Sequence, residues 1–332
     1  MNEHYVPQSY LRQFAPESAN LISRYSLTDM HGGGDYYASG RYPISRSASE
    51  EGFAGGYFEQ DEITDAEGSI LTVFQKLKEG KVLTGDEYGN LSWYIGLQFE
   101  RTPKQQMFRQ TADELSRYTD EFDSGGWTET VEKVTRGGHK NLQQFGWLLI
   151  ENRSTQPLIT SDHPVVTYPT QQADQDANSN ENVEIFYPIG PNHLIALLHP
   201  ARYDVESLYP EKRLSRNIIE SSTEIHKLNL LQPLSAFSEI FGPVGEDEYL
   251  NELVTILCNA FPNPDYVRGP QCSQEHMKRA RKLAIEHYSQ IGGTEWYNES
   301  IRPIFEAEYR ESVALTEYSH NLSFVEELRE AA

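Results

Sequence analysis

Cysteine is scarce in this chain: Cys258 and Cys272 are the only two in 332 residues, and they do not form a Cys-x-x-Cys pair. A disulfide framework and a cysteine-based zinc centre are both excluded by that count, and a reducing compartment is the expected home. Long hydrophobic runs are missing as well. No stretch approaches the roughly 20 apolar residues that a membrane-crossing helix needs. The start Met1-Asn2-Glu3-His4-Tyr5 has neither the basic nor the apolar region of a secretory leader. These absences together predict a cytoplasmic protein with no membrane contact.

Positive charge is also in short supply. Lys and Arg number 28 against 50 Asp and Glu, for a net charge of -22. Disorder does not explain this acidity, because hydrophobic residues make up 38% and aromatics 11% of the chain, enough for a sizeable core. The carboxylates are spread along the whole sequence rather than clustered, which argues against an acidic face for a basic partner. A better fit is a surface that stays hydrated in strong salt, where the Debye length is about 3 Å at 1 M and self-repulsion is screened. The composition is of the haloarchaeal type and predicts a halophilic cytoplasm.

Periodicity divides the chain. Residues 1–58 are rich in Gly, Ser and Tyr and hold one strand from Asn20 to Leu27; His31-Gly32-Gly33-Gly34-Asp35 reads as a turn or loop. From Thr64 the period turns helical, with Ala66, Ile70, Leu71, Phe74 and Leu77 on one face, and Thr64 followed by Glu67 has capping-box spacing. A second helix is expected from about Asp86 through Leu91, Ile95 and Phe99, ended or kinked by Pro103, with helix resuming through Met107, Phe108 and Leu115. Short apolar runs at Phe145–Ile150, Pro157–Tyr168, Val183–Tyr187 and Leu194–Leu198 read as strands of an antiparallel sheet. Thr170–Asn182, between two of them, reads as a surface loop. Helix is expected again at roughly 213–229, 246–260, 273–291 and 299–330. The order strand, helices, strands, helices predicts an α+β fold: a central, mostly antiparallel sheet packed against several helices, in a single compact domain spanning 1–332.

Several motifs of known chemistry fail on inspection. His31-Gly32-Gly33-Gly34 has the form of an oxyanion-hole loop, but the G-x-S-x-G elbow that would accompany it is absent. Gly80-Lys81 lacks the upstream glycine of a phosphate-binding loop, and there is no H-E-x-x-H. Asp174, Asp176, Asn178 and Asn180 alternate as in a calcium loop, but Ser179 stands where glycine is required and Ile185 where the bidentate glutamate belongs. Glu224-Ile225-His226 has no second histidine one helical turn away. One basic cluster, Lys278, Arg279, Arg281 and Lys282, runs against the composition. It reads as the solvated face of a helix, with phosphate or nucleic-acid binding as the sharper but less favoured alternative.

Three segments carry a resemblance. His4-Tyr5-Val6-Pro7-Gln8 with Tyr10-Leu11 and Phe14, then Gln98-Phe99-Glu100-Arg101-Thr102-Pro103, then Leu158-Ile159-Thr160-Ser161-Asp162-His163-Pro164-Val165 occur in the order found in the family called domain of unknown function 4238. The chain resembles that family from residue 4 to about 240, leaving a helical C-terminal part at about 245–330. It departs from the family pattern at His163, where asparagine is usual. The resemblance implies no activity, but it singles out His4, Gln8, Glu67, Gln98, Arg101 and Asp162 as polar residues at the ends of different elements, the arrangement a pocket requires.

Each of these has two readings. His4 and Gln8 either hydrogen-bond the N-terminal segment to the body or touch a ligand. Glu67 is either the capping-box partner of Thr64 or a ligand contact. Arg101 either pairs with Glu59, Glu67 or Asp162 or binds an anion. Asp162 either caps a turn or serves as general base or metal ligand. One expectation is therefore a hydrolase acting on a phosphoester or nucleic acid, with His4, Asp162 and Arg101 catalytic, Gln8, Gln98 and Glu67 binding, and magnesium or manganese as the metal. The other is a non-catalytic binding protein in which the same residues form a structural network or hold an anionic ligand or protein partner.

Overall fold

A computed structural model of the chain describes residues 2–16, 20–26, 37–54, 58, 61–106, 131, 142, 144–169, 183–205, 214–260 and 322–330. In order these form β1 (Asn2–His4), α1 (Gln8–Leu11), β2 (Leu21–Ser26), β3 (Tyr37–Pro43), β4 (Ser49–Glu51), α2 (Asp61–Lys78) and α3 (Gly85–Glu100). There follow β5 (Gly146–Asn152), β6 (Thr160–Ser161), β7 (Val166–Pro169), β8 (Val183–Gly190), β9 (His193–Leu198) and β10 (Ser215–Ile219). The last elements are α4 (Ser222–Ser235), β11 (Glu239–Gly242), α5 (Asp247–Ala260) and α6 (Ser323–Glu330). The fold is α+β.

The apolar runs of the middle third build a five-stranded sheet in the order β10-β5-β9-β8-β7, antiparallel except where β10 runs parallel to β5. Because successive side chains of a strand point to opposite faces, an unbroken apolar run must be covered on both. Trp147, Leu149, Ile185, Tyr187, Ile189, Ile195 and Leu197 join the core cluster that also contains Phe74, Leu77, Leu91 and Ile95 from α2 and α3. Leu148, Ile150, Phe186, Leu194, Ala196 and Leu198 join a second cluster with Ile225, Leu228 and Leu231 of α4 and Val325 of α6. The sheet is thus the middle of three layers.

A second, four-stranded sheet runs β3-β2-β11-β6 with every pairing antiparallel. Its apolar residues Tyr25 and Ile240, with Ile159 just before β6, pack with Leu250 and Leu253 of α5. The N-terminal strand β1 pairs antiparallel with β4, placing His4 opposite Ser49.

Three expectations need correction. The helix expected at 213–229 begins only at Ser222, because residues 215–219 pair with β5 as strand β10. The run Pro157–Tyr168 is not one strand: β6 ends at Ser161 and β7 starts at Val166, broken at Asp162-His163-Pro164. Helix α2 begins at Asp61 rather than Thr64, since buried Ile63, at 3% exposure, extends the stripe of Ile70, Phe74 and Leu77 two turns earlier. Thr64 is consequently an exposed residue inside the helix, at its fourth position, and not its cap. The capping box belongs to α3, where the Thr84 side chain accepts from the Glu87 N–H and Glu87 accepts from the Thr84 N–H.

Expectations for His31–Asp35, Met107–Leu115, Thr170–Asn182, the Asp174 series, Cys272 and the Lys278 cluster lie outside the described residues. No helix among the described residues is long and apolar enough to cross a membrane.

Candidate functional site

Helix α3 ends at Glu100, with Arg101 as its C-cap and Pro103 two residues beyond. A chain that stops here turns its next side chains inward, and Arg101 is 2% exposed. A guanidinium cannot shed its charge, so burying it demands partners. Its Nη1 pairs with the Glu67 carboxylate from α2, its Nη2 donates to the His4 carbonyl at 2.6 Å, and its plane lies over the Phe58 ring, 4.5 Å from the centroid. One turn earlier, fully buried Gln98 donates from Nε2 to the Tyr5 carbonyl at 3.0 Å. Two side chains of the second motif thus grip two consecutive backbone carbonyls of the first.

The opposite edge of that N-terminal segment is held by Ala48. Its carbonyl accepts from the N–H of Tyr5 at 3.1 Å and of Val6 at 3.5 Å, and its own N–H donates to Glu239 Oε2 at 2.9 Å. To face both ways Ala48 adopts φ of 46°, a left-handed conformation that residues other than glycine rarely take. Glu239, on β11, is paired in turn with Arg24 of β2, which also lies over the Tyr42 ring at 4.3 Å.

Asp162 stands where β6 stops. It has no exposed surface, and all its partners are donors. Oδ1 accepts from the Phe237 N–H at 2.6 Å; Oδ2 accepts from the Ser238 N–H at 2.6 Å, the Ser238 hydroxyl at 2.8 Å and the Glu239 N–H at 3.0 Å. The Asp162 N–H returns a bond to the Glu239 carbonyl at 2.9 Å. This is how an aspartate caps a turn, here the one leading from α4 into β11. Burial, and then the charge of Glu239, push its carboxyl up to about 7 against the pull of those donors. Tyr5 lies in the same field: burial, followed by the charges of Asp162 and Glu239, raises its phenol well above its ordinary value.

The third motif also meets the second directly. His163 Nδ1 lies 2.7 Å from the Thr102 hydroxyl and its ring 5.2 Å from that of Phe99. Burial, with Lys104 second, lowers the imidazole well below its ordinary value, so it is neutral. Lys104 itself donates to the Ser235 carbonyl at 3.0 Å, where a cation complements the end of α4.

Of the residues read from the sequence, Glu67, Gln98 and Arg101 come together around the His4-Tyr5 backbone. Arg101 takes Glu67, one of the partners expected for it. His4, half-buried as a residue, takes part through its carbonyl; its imidazole Nε2 lies 3.3 Å from the Ser45 carbonyl in an exposed contact. Gln8 lies apart and accepts from Arg12 at 3.1 Å on the surface. Tyr5, Arg24, Ala48, Thr102 and Glu239 were not legible as participants: they touch across gaps such as the 215 residues between Arg24 and Glu239, and no local spacing marks them. Among the described residues no group of three or more His, Cys, Asp and Glu is placed to hold a metal ion.

Residues 2–243 match the family described as "Protein of unknown function (DUF4238)". No curated protein and no solved structure is significantly similar to the chain. The matched span covers well over half of the 332 residues and includes the buried network from His4 to Glu239, and the chain therefore belongs to the DUF4238 family.

Proposed function

We propose that this is a non-catalytic binding protein in which Glu67, Gln98, Arg101, Asp162 and the His4-Tyr5 backbone form a structural network. The observation that carries this reading is the state of Asp162: fully buried, with four donors on its two oxygens. A general base needs a free lone pair within reach of substrate. Arg101 points the same way, since Glu67 and the His4 carbonyl engage its two terminal nitrogens. Recognition would then fall to the surface that the network holds in shape, with a small anion or a protein as the partner.

One observation favours the hydrolase reading as a second choice. Asp162 is pushed up to about 7 beside a second buried carboxylate, Glu239, and perturbed carboxyls of this kind are common in catalytic centres. Melting the protein with added Mn²⁺, Mg²⁺ and nucleotides separates the two readings, because a ligand that binds only the folded state raises Tm by mass action. The network reading expects no metal-dependent rise in wild type and a large fall in Tm for Arg101→Ala. A metal-dependent rise that disappears in Asp162→Asn would establish the hydrolase reading instead.

The net charge of -22 supports a halophilic, cytoplasmic setting as part of the same proposal. Screening of self-repulsion predicts a Tm that climbs steadily from 0.1 to about 2 M KCl; a Tm that is flat or falling over that range would contradict it.

A further inference from the structure

Helix α6 lies beyond the span shared with the family and returns to the outer face of the five-stranded sheet. Leu322 and Val325, at 5% and 1% exposure, complete the apolar cluster there, with Leu328 packed at its border. The Asp204 N–H donates to the Leu328 carbonyl at 2.9 Å, tying the helix to the segment that follows β9. Beneath this apolar contact sits a carboxylate. Glu184 of β8 is 1% exposed, and the Tyr203 hydroxyl donates to its Oε1. Arg329 of α6 reaches the same Oε1 at 3.5 Å and the Tyr203 hydroxyl at 3.3 Å, its guanidinium 5.6 Å from the Tyr203 ring centroid. A buried acid covered by a short helix that supplies its counter-charge differs from a core ion pair, because one member can leave with the helix.

We propose that α6 is a proton-linked latch, docked over Glu184 and the apolar outer face of the sheet and released as Glu184 gives up its proton. The groups acting on Glu184 are Tyr203 and Arg202 after β9 and Arg329 from α6, while β7 sets Tyr168 opposite it in register. Burial first, opposed by the Tyr203 hydrogen bond and the two arginines, pushes the docked carboxyl up to about 7. Undocking returns it to water and toward the ordinary value of about 4.3. Between those values the docked state binds the proton more tightly, so docking is strongest in acid, weakens as pH rises toward 7, and levels off above it. Arg329 limits the loss by pairing with the ionised form. Its own side chain is 41% exposed, which leaves that compensation incomplete. Release uncovers the apolar patch completed by Leu322 and Val325, so proton binding would govern access to it.

Hydrogen exchange of the full chain, read on the peptide covering 322–330 and corrected for the pH dependence of intrinsic exchange, tests the latch. Wild-type protection should fall at least tenfold from pH 5 to 7.5, the change expected from a one-unit difference in carboxyl affinity. Glu184→Gln, which keeps a hydrogen-bonding group but cannot titrate, should change less than threefold. Arg329→Ala, a substitution at the surface that leaves the core packing intact, should fall more steeply and continue falling above pH 7.5. PH-independent protection in wild type, or an Arg329→Ala profile that superimposes on wild type, would overturn the proposal. So would a Glu184→Gln profile falling as wild type does.

Discussion

Arg101 and His4 contribute to one contact in different currencies, side chain in the first case and backbone in the second. Removing the Arg101 side chain leaves Glu67, only 13% exposed, without its cation, and leaves the His4 carbonyl without its donor. Arg101→Ala should therefore cost about 3–5 kcal/mol. Gln98→Ala removes one buried bond to the Tyr5 carbonyl and should cost about 1–2 kcal/mol. His4→Ala leaves the carbonyl in place and should cost under about 1 kcal/mol. Chemical denaturation of the three variants checks the ranking, and a His4→Ala loss equal to that of Arg101→Ala would show that the imidazole carries the contact.

Helix starts offer a sharper comparison, because Thr64-x-x-Glu67 and Thr84-x-x-Glu87 share the same spacing and of these two only the second is a cap. Thr84 and Glu87 bond reciprocally at the head of α3, so Thr84→Ala should lose about 1 kcal/mol. Thr64 lies exposed inside α2, where alanine is the better helix former, so Thr64→Ala should be neutral or slightly stabilising. Thermal melts that reversed this order would misplace the start of α2. Elements were legible where a local pattern is repeated: the strand at 21–26, the end of α3 before Pro103, and the apolar runs of β5, β8 and β9 all follow from period and punctuation. Strand β10 was not, since its exposed positions give it no alternation and its identity comes from pairing with β5. The same distinction governs the site. The pairing of Arg101 with Glu67 could be anticipated as one of three candidate pairs, and Gln98 from its place in the same motif, although Glu67 lies within α2 rather than at an element end. The Arg24–Glu239–Ala48 link, and the division of three sheets where one was expected, depend on long-range pairing that no window of sequence contains.

Across the whole molecule, buried ionisable groups set opposing dependences on pH. Asp162 and Glu184 are both pushed up to about 7; between pH 4 and 7 the folded state holds protons there that the unfolded chain has released, so their contribution to stability falls as pH rises. Burial lowers His163 well below its ordinary value and His193 to about 4. Below about 6.5 the unfolded chain gains protons at these two, so their contribution falls as pH drops. Two groups oppose two, each by at most about 1.4 kcal/mol per pH unit, and stability in molar KCl should be nearly flat from pH 5 to 6.5. Changing His163→Asn removes one of the opposing terms, and Tm should then rise on acidification across that interval. A variant as flat as wild type would show that His163 is not buried neutral.

Asp162 is the fastener between the third motif and the turn before β11. Equilibrium urea unfolding of Asp162→Asn tests it most directly, because an amide nitrogen placed against N–H donors loses bonds that a carboxylate accepts. The predicted result is a lower midpoint at unchanged m-value, equivalent to about 2–4 kcal/mol. An unchanged midpoint would contradict a structural role for Asp162 and return it to the list of groups free to do chemistry.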